Sequence, residues 1–149
     1  MKKYTKDEAL FKLTALCASG EYCEQDMLEK LQRWGMPETE QAQIMQYLVV
    51  NKYVDNERFC KAFIRSKLTF NKWGRRKIEQ ALYAKRIGKE VSDRFFAEID
   101  DEEFLVILRP LLESKRKTIK AKSDYEMNVK LIRFALQRGF EMDLIQECL

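Results

Sequence analysis

A short segment of the sequence concentrates cationic side chains beside an indole ring. Its members are Lys72, Trp73, Arg75, Arg76 and Lys77. If a helix begins near Gly74, three cations occupy its first turn, where each costs about 0.3–1 kcal/mol against the positive end of the helix dipole. Such a placement indicates a use for the charge, because helix N-termini carrying Arg and Lys bind phosphates and carboxylates. The sequence predicts an anion-binding surface here; the alternative is a solvated basic face with Trp73 packed against its own unit.

Other cations extend this surface or form a second block. The extension consists of Arg65, Lys67, Lys85 and Arg86. The second block consists of Lys115, Arg116, Lys117 and Lys120, expected at a helix end and the following loop. Cations near a helix C-terminus are favourable without any ligand, so the simpler interpretation of this block is dipole compensation. A bound polyanion would still be attracted to it in a salt-dependent way.

The composition argues against catalysis and metal binding. Histidine is absent, which removes His-based triads, the common zinc sites and the usual general base near neutral pH. The four cysteines, Cys17, Cys23, Cys60 and Cys148, include no CxxC pair. In a reducing compartment they are expected to be small core residues or free thiols rather than disulfides. We therefore expect a non-enzymatic protein with no metal or cofactor.

Charge is unevenly distributed along the chain, which has a formal net charge of +4. Residues 55–88 contain ten Lys or Arg and three Asp or Glu, whereas residues 89–108 contain two and seven. Residues 109–122 return to six and one. Two basic blocks separated by an acidic one favour localised patches over a uniformly adhesive surface.

Nothing in the sequence indicates a membrane segment or an export signal. No stretch approaches the roughly 18 apolar residues that a membrane helix needs. The first residues lack the apolar centre of a signal peptide. We expect a cytoplasmic protein.

Apolar periodicity predicts helices almost throughout the chain. Thr5 and Glu8 have capping-box spacing, Pro37 is expected at the first position of a helix, and Asp55 is expected to cap another. Pro110 interrupts an apolar run, which predicts a kink or a break. The same periodicity predicts that Tyr47, Val91, Ile107 and Leu111 lie on the buried faces of their helices. The core is also predicted to include the aromatic residues Tyr53, Phe59, Phe63, Phe95, Phe104 and Phe134.

An internal repeat of about fifty residues organises these helices. Met27, Ile78 and Leu131 occupy equivalent positions, offset by 51 and 53 residues. Four residues after each comes a second apolar position, and four further on comes the end of the helix, at Gly35, Arg86 and Gly139. The sequence predicts an all-α fold of three tandem three-helix repeats, 1–53, 54–99 and 100–149, forming an elongated curved body.

The central part of the chain resembles the signature region of the RecX family. The matching residues are Tyr53, Asp55, Arg58, Phe59, Gly74, Ile78 and Leu82. Residues 130–140 resemble the C-terminal helix of the family, and the first unit resembles its N-terminal one. Lys52 and Arg86 depart from the family pattern, because both stand where glycine is usual. Since Lys and Arg pay a steric cost at positive φ, these departures put the local turn geometry in question.

The resemblance implies a protein of three tandem three-helix units that binds RecA filaments on DNA. Members of the family typically suppress filament growth, strand exchange, ATP hydrolysis and the co-protease activity that drives the SOS response. We expect this chain to act in that way, as a monomer. The alternative is an autonomous DNA-binding module, because three-helix units with a basic helix can dock in a groove. The modest net charge argues against strong DNA binding of that kind but allows weak binding. An enzyme ranks third.

Overall fold

The computed structural model describes residues 1–149 and consists of helices, turns and loops without a β-strand. The all-α prediction is therefore confirmed. The helices are α1 (Lys6–Ser19), α2 (Glu24–Arg33), α3 (Glu38–Val50), α4 (Asn56–Ser66), α5 (Arg75–Ala84), α6 (Lys89–Phe96), α7 (Asp101–Arg116), α8 (Asp124–Gln137) and α9 (Met142–Glu147). A π-helical turn, Lys67–Asn71, follows α4 directly. None of these helices combines the length and the apolar character needed to cross a bilayer.

Contacts divide the chain into two compact units, Met1–Ala62 and Phe63–Leu149, with the boundary inside α4. The three repeat boundaries that the sequence suggests stay a prediction.

Unit 1 is built on capped helices around an aliphatic core. The Thr5 hydroxyl accepts from the Glu8 amide at 3.1 Å and the Glu8 carboxylate accepts from the Thr5 amide at 2.9 Å, which confirms the capping box. These hydrogen bonds lower the pKa of Glu8, the backbone donor of Thr5 contributing most. The Asp55 carboxylate likewise accepts from the first amides of α4, as predicted. The buried residues of this core are Ala9, Leu13, Met27, Leu31, Met36, Ile44, Leu48 and Val54.

Three sequence-based placements in unit 1 are wrong. Pro37 is the N-cap of α3 rather than its first helical residue, so the helix begins one position later. Tyr47 and Tyr53 were placed in the core, but 44% and 38% of their surfaces are exposed. Their rings stack on each other with centroids 6.0 Å apart. Tyr53 lies in the turn that follows α3, and Val54, whose amide donates to the Leu48 carbonyl at 3.2 Å, is buried instead.

In unit 2 the predicted apolar stripes are correct in type but displaced around the helix. Ser92 and Phe96 are the buried residues of α6, whereas Val91 and Phe95 are only half-buried. Along α7 the buried set is Phe104, Leu105, Leu108 and Leu112, with the predicted Ile107 and Leu111 beside it. Apolar residues fill adjacent positions at Phe95 and Phe96 of α6 and along Phe104–Leu108 of α7, so periodicity defines the width of the stripe but not its centre. Phe104 is buried as predicted, and so is Phe59 in unit 1.

Pro110 lies inside a continuous α7, so of the two predicted outcomes, a kink or a break, the break does not occur. Proline has no N–H and leaves the carbonyl of Val106, four residues earlier, without its helical donor. Both residues are on the exposed side of the helix. Water can therefore satisfy that carbonyl, and the helix continues.

The repeat appears in the structure as the same helix ending used three times. Gly35, Arg86 and Gly139 all have positive φ, of 69°, 60° and 93°. Each is followed by a buried apolar residue whose amide bonds back five positions, which is the Schellman motif. These bonds are Met36 to Leu31 at 3.1 Å, Ile87 to Leu82 at 2.9 Å and Phe140 to Ala135 at 3.1 Å. Arg86 thus adopts the left-handed conformation that the sequence comparison put in question.

The conformation of Arg86 makes a stability prediction. A non-glycine residue in the left-handed region costs about 1–2 kcal/mol. Replacing it with glycine removes this cost, but glycine loses more conformational entropy on folding, so the gain in stability is smaller. We expect Arg86→Gly to raise the free energy of unfolding by about 0.5–1 kcal/mol. Chemical denaturation followed by circular dichroism measures this. Ala84→Gly, in the exposed last turn of α5, is the control and should lower stability by a similar amount. Equal loss of stability in both variants would contradict the prediction.

Candidate functional site

Trp73 lies between two of the predicted cationic side chains. The Lys67 and Lys77 ammonium groups lie 5.0 Å and 4.7 Å from the centroid of its ring, and Lys67 also lies 5.2 Å from the Phe63 ring. Each such contact stabilises an ammonium by about 0.5–1 kcal/mol where it is exposed. The indole therefore holds two positive charges in place.

The beginning of α5, which carries these cations, docks on the end of α8. The Gly74 amide donates to the Arg138 carbonyl at 2.7 Å, and the Arg76 amide donates to the Gly139 carbonyl at 3.0 Å. The negative end of the α8 dipole therefore faces the positive end of α5. This contact offsets the cost of cations in the first turn of α5. It also occupies the N–H groups of Gly74 and Arg76, which are therefore not free to bind an anion; the anion-binding surface itself stays a prediction.

Two glycines make the docking possible. A side chain at Gly74 would collide with the backbone of Gly139 and Phe140, and a side chain at Gly139 would collide with Lys77. Backbone atoms cannot move away as a flexible side chain can. The start of α5 therefore requires small residues on both sides of the contact.

Arg75 is committed to interactions within unit 2. Its guanidinium binds the Asp93 carboxylate at 2.7 Å, lies 3.6 Å from the Glu79 carboxylate and covers the Phe96 ring at 4.7 Å. Asp93 also accepts from Lys89 at 3.1 Å, and that hydrogen bond is the main reason why the pKa of Asp93 is lowered, with Arg75 contributing less. That Arg75 contacts a partner stays a prediction. Unlike Arg76 and Lys77, it forms salt bridges with carboxylates of the same unit.

A second aromatic ring holds two further cations. The Lys115 ammonium lies 4.9 Å and the Arg138 guanidinium 5.2 Å from the centroid of the Phe134 ring. Arg138 also donates to the Asn71 carbonyl at 3.1 Å, which joins this group to the π-turn beside Trp73. Phe134, predicted to be core, is half-buried. Sequence reasoning missed Arg138, whose only signal was its position directly before Gly139.

The remaining predicted residues lie elsewhere or in exposed positions. Arg65 pairs with Glu103 at 3.4 Å. Lys85 and Arg86 follow the C-terminus of α5, roughly 15 Å along the helix from Trp73. The other members of the second block are exposed. Arg116 is the last residue of α7, and Lys117 and Lys120 lie beyond it. Lys120 uses its carbonyl to accept from Lys130 at 2.8 Å.

We call the joined group the cationic surface. It comprises Lys67, Lys72, Trp73, Arg76, Lys77, Lys115, Phe134 and Arg138. Acidic side chains pair instead with cations outside it, such as Arg65, Arg75 and Lys89. The cations of the cationic surface form no salt bridge with a carboxylate, and such ammonium and guanidinium groups beside aromatic rings can bind a polyanion.

The remaining candidate features are the acidic residues, the cysteines and an open groove. No group of three or more His, Cys, Asp or Glu side chains is placed to hold a metal ion. The four cysteines are free thiols, and burial raises the pKa of Cys17 and Cys148. An open groove of about 600 Å³ runs beside α5 and α6. Of its charged lining residues, Arg75 and Lys89 both pair with Glu79, and Arg76 and Glu141 line it as well.

Comparison with known proteins identifies relatives over nearly the whole chain. Residues 55–98 match the family model of the second three-helix domain of RecX, and residues 101–149 match that of the third. The regulatory protein RecX of Acinetobacter baylyi is 30% identical over 91% of this chain and 82% of its own length. RecX of Vibrio campbellii is 29% identical, over 95% and 88%.

Solved structures share the fold. A crystal structure of a regulatory protein RecX superimposes with a TM-score of 0.86, covering 96% of this chain and 70% of that chain at 17% identity. RecX from Lactobacillus salivarius gives a TM-score of 0.84, covering 96% and 93% at 15% identity. This similarity supports the helical repeat architecture.

The docking of α5 on α8 predicts a selective effect of glycine substitution. Gly74→Ala must displace the backbone of Gly139, and we expect it to lower the free energy of unfolding by about 1–3 kcal/mol. Gly88 is also a helix N-cap with negative φ, and a side chain there meets nothing within 4 Å. Gly88→Ala is the matched control and should cost well under 1 kcal/mol. Thermal denaturation of both variants measures the two losses of stability. Equal losses would show that the start of α5 does not pack closely on Gly139.

Proposed function

Because the chain belongs to the RecX family of regulatory proteins, we propose that it binds the RecA recombinase filament on DNA and restrains it. The effect is lower recombination, ATP hydrolysis and co-protease activity, and hence a weaker SOS response. The protein acts by binding rather than by catalysis. We further propose that it is a cytoplasmic monomer of three repeats, 1–53, 54–99 and 100–149.

The cationic surface is the observation that carries this proposal. Its charges come from four different elements, namely the π-turn, α5, α7 and the end of α8, so folding is needed to assemble them. A filament of protein on DNA offers phosphates and acidic side chains together. Attraction to phosphates releases counterions, so binding should weaken as salt is added.

Autonomous DNA binding is the second candidate, and the same surface favours it in a weak form. A recognition helix reads the major groove with residues near its N-terminus. In this chain the N-terminus of the basic helix α5 is docked on Gly139 and cannot enter a groove as a free helix end. The net charge of +4 is also modest. Both facts favour a composite partner over bare duplex.

One titration separates the two candidates. The full-length protein is titrated against RecA–DNA filaments, RecA alone and bare duplex DNA at physiological salt. We expect filaments to bind at least roughly tenfold more tightly than duplex, a difference of about 1.4 kcal/mol. Equal affinity for filaments and bare duplex would overturn the regulator proposal in favour of the DNA-binding module.

The cationic surface makes a mutational prediction. Replacing Lys67 and Lys77 with Ala removes both charges held on Trp73, so filament binding and inhibition of ATP hydrolysis should weaken. If both contact phosphates, the slope of log affinity against log salt should fall by about one for each lysine. Helicity should not change, because neither side chain belongs to the core.

A control variant removes the same charge elsewhere. Arg33 and Lys61 are exposed cations outside the cationic surface. The Arg33→Ala, Lys61→Ala double variant should retain filament binding and the wild-type salt slope. If both double variants lose affinity equally, net charge rather than the assembled surface drives binding.

A further inference from the structure

The turn that joins α4 to α5 has an uncommon geometry. After α4 the chain widens into the π-helical turn Lys67–Asn71, and Lys72 then adopts a left-handed conformation with φ of 56°. The Trp73 amide closes the turn on the Lys67 carbonyl at 3.1 Å, six residues back. Isolated π-turns occur frequently at functional sites.

This turn directs one large apolar side chain into solvent. Leu68 continues the buried stripe of Ile64 four residues earlier, and only 3% of its surface is exposed. Phe70, two residues further, is 80% exposed. Its ring takes no part in the core that the rest of the turn covers.

The backbone that follows Phe70 is fixed by two hydrogen bonds to Arg138. The Asn71 carbonyl accepts from the Arg138 guanidinium, and the Gly74 amide donates to the Arg138 carbonyl. A non-glycine residue at positive φ, such as Lys72, persists only when its surroundings determine the conformation. Phe70 is therefore presented by a preorganised turn, and little ordering is needed when a partner binds.

The charges next to Phe70 are positive. Lys72 lies two residues away and is exposed, Lys67 begins the same turn, and Arg138 binds the adjacent Asn71. A partner surface that complements this arrangement has an apolar pocket with carboxylates at its rim.

We propose that Phe70 is an aromatic anchor that inserts into an acid-rimmed apolar pocket on a protein partner. This inference rests on the proposed function and assigns the contact to the protein subunits of the filament. A central aromatic side chain with charged groups around it is the pattern of a protein–protein hot spot. Surfaces that stack single-stranded nucleic acid use successive aromatic rings, but here the next ring, Trp73, has two ammonium groups over it.

The experiment compares Phe70→Ala with Tyr125→Ala in the full-length protein. Tyr125 is the matched control, because it is also an 80% exposed aromatic residue of unit 2, outside the turn. Affinity is measured for RecA alone, for RecA–single-stranded DNA filaments and for bare single-stranded DNA. Phe70→Ala should lose roughly tenfold or more in affinity for both forms of RecA. Its affinity for bare DNA and its helicity should not change, and Tyr125→Ala should behave as wild type.

Several results would overturn the inference. If the wild-type protein binds filaments and Phe70→Ala binds them equally well, the anchor is wrong while the proposed function stands. If Phe70→Ala loses affinity for bare DNA to the same extent, Phe70 is a nucleic-acid contact. If the wild-type protein binds neither form of RecA, the proposed function and this inference fail together.

Discussion

The backbone contact between the end of α8 and the start of α5 determines where the charges of the cationic surface lie. Two amide-to-carbonyl hydrogen bonds, from Gly74 and Arg76 to Arg138 and Gly139, set the position of the helix that carries Lys77. The same contact brings Arg138 to the π-turn. Without it, the cations around Trp73 and those around Phe134 would belong to separate surfaces. The cationic surface thus combines the basic stretch 67–77 with Lys115 and Arg138, which only tertiary packing brings to it.

Contacts of this kind explain why two of the three equivalent helix ends have glycine. In unit 1 the Trp34 carbonyl accepts from the Lys3 amide at 2.7 Å, and a side chain at Gly35 would collide with the backbone of Met1. In unit 2 the carbonyl of Arg138 and the neighbouring Gly139 have the equivalent arrangement with the start of α5. Arg86 ends its helix by the same Schellman motif, yet its side chain is exposed. Where backbone packs against the turn, a side chain is excluded; at Arg86 the fold accepts the strain of a positive φ instead.

Sequence reasoning recovered features that depend on neighbouring residues. The capping box at Thr5 and the helix ends at Gly35 and Gly139 are local, so spacing alone predicts them. The centres of the apolar stripes in α6 and α7 were displaced by one position, because adjacent apolar residues allow two orientations of each helix. The partnership of Arg75 with Asp93 and the bond from Arg138 to Asn71 join residues 18 and 67 positions apart. No spacing rule predicts such contacts, and Phe70 gave no signal beyond its position off the buried stripe.

The contact at the start of α5 can be observed directly in solution. The amide of Gly74 is buried within the contact that assembles the cationic surface, so its rate of hydrogen exchange reports directly on whether that contact exists in solution. Measured by NMR under native conditions, the Gly74 amide should be protected nearly as strongly as the core amide of Ile78 in the same helix. Exchange as fast as that of an exposed loop amide would contradict the account, because the cations would then have no fixed arrangement.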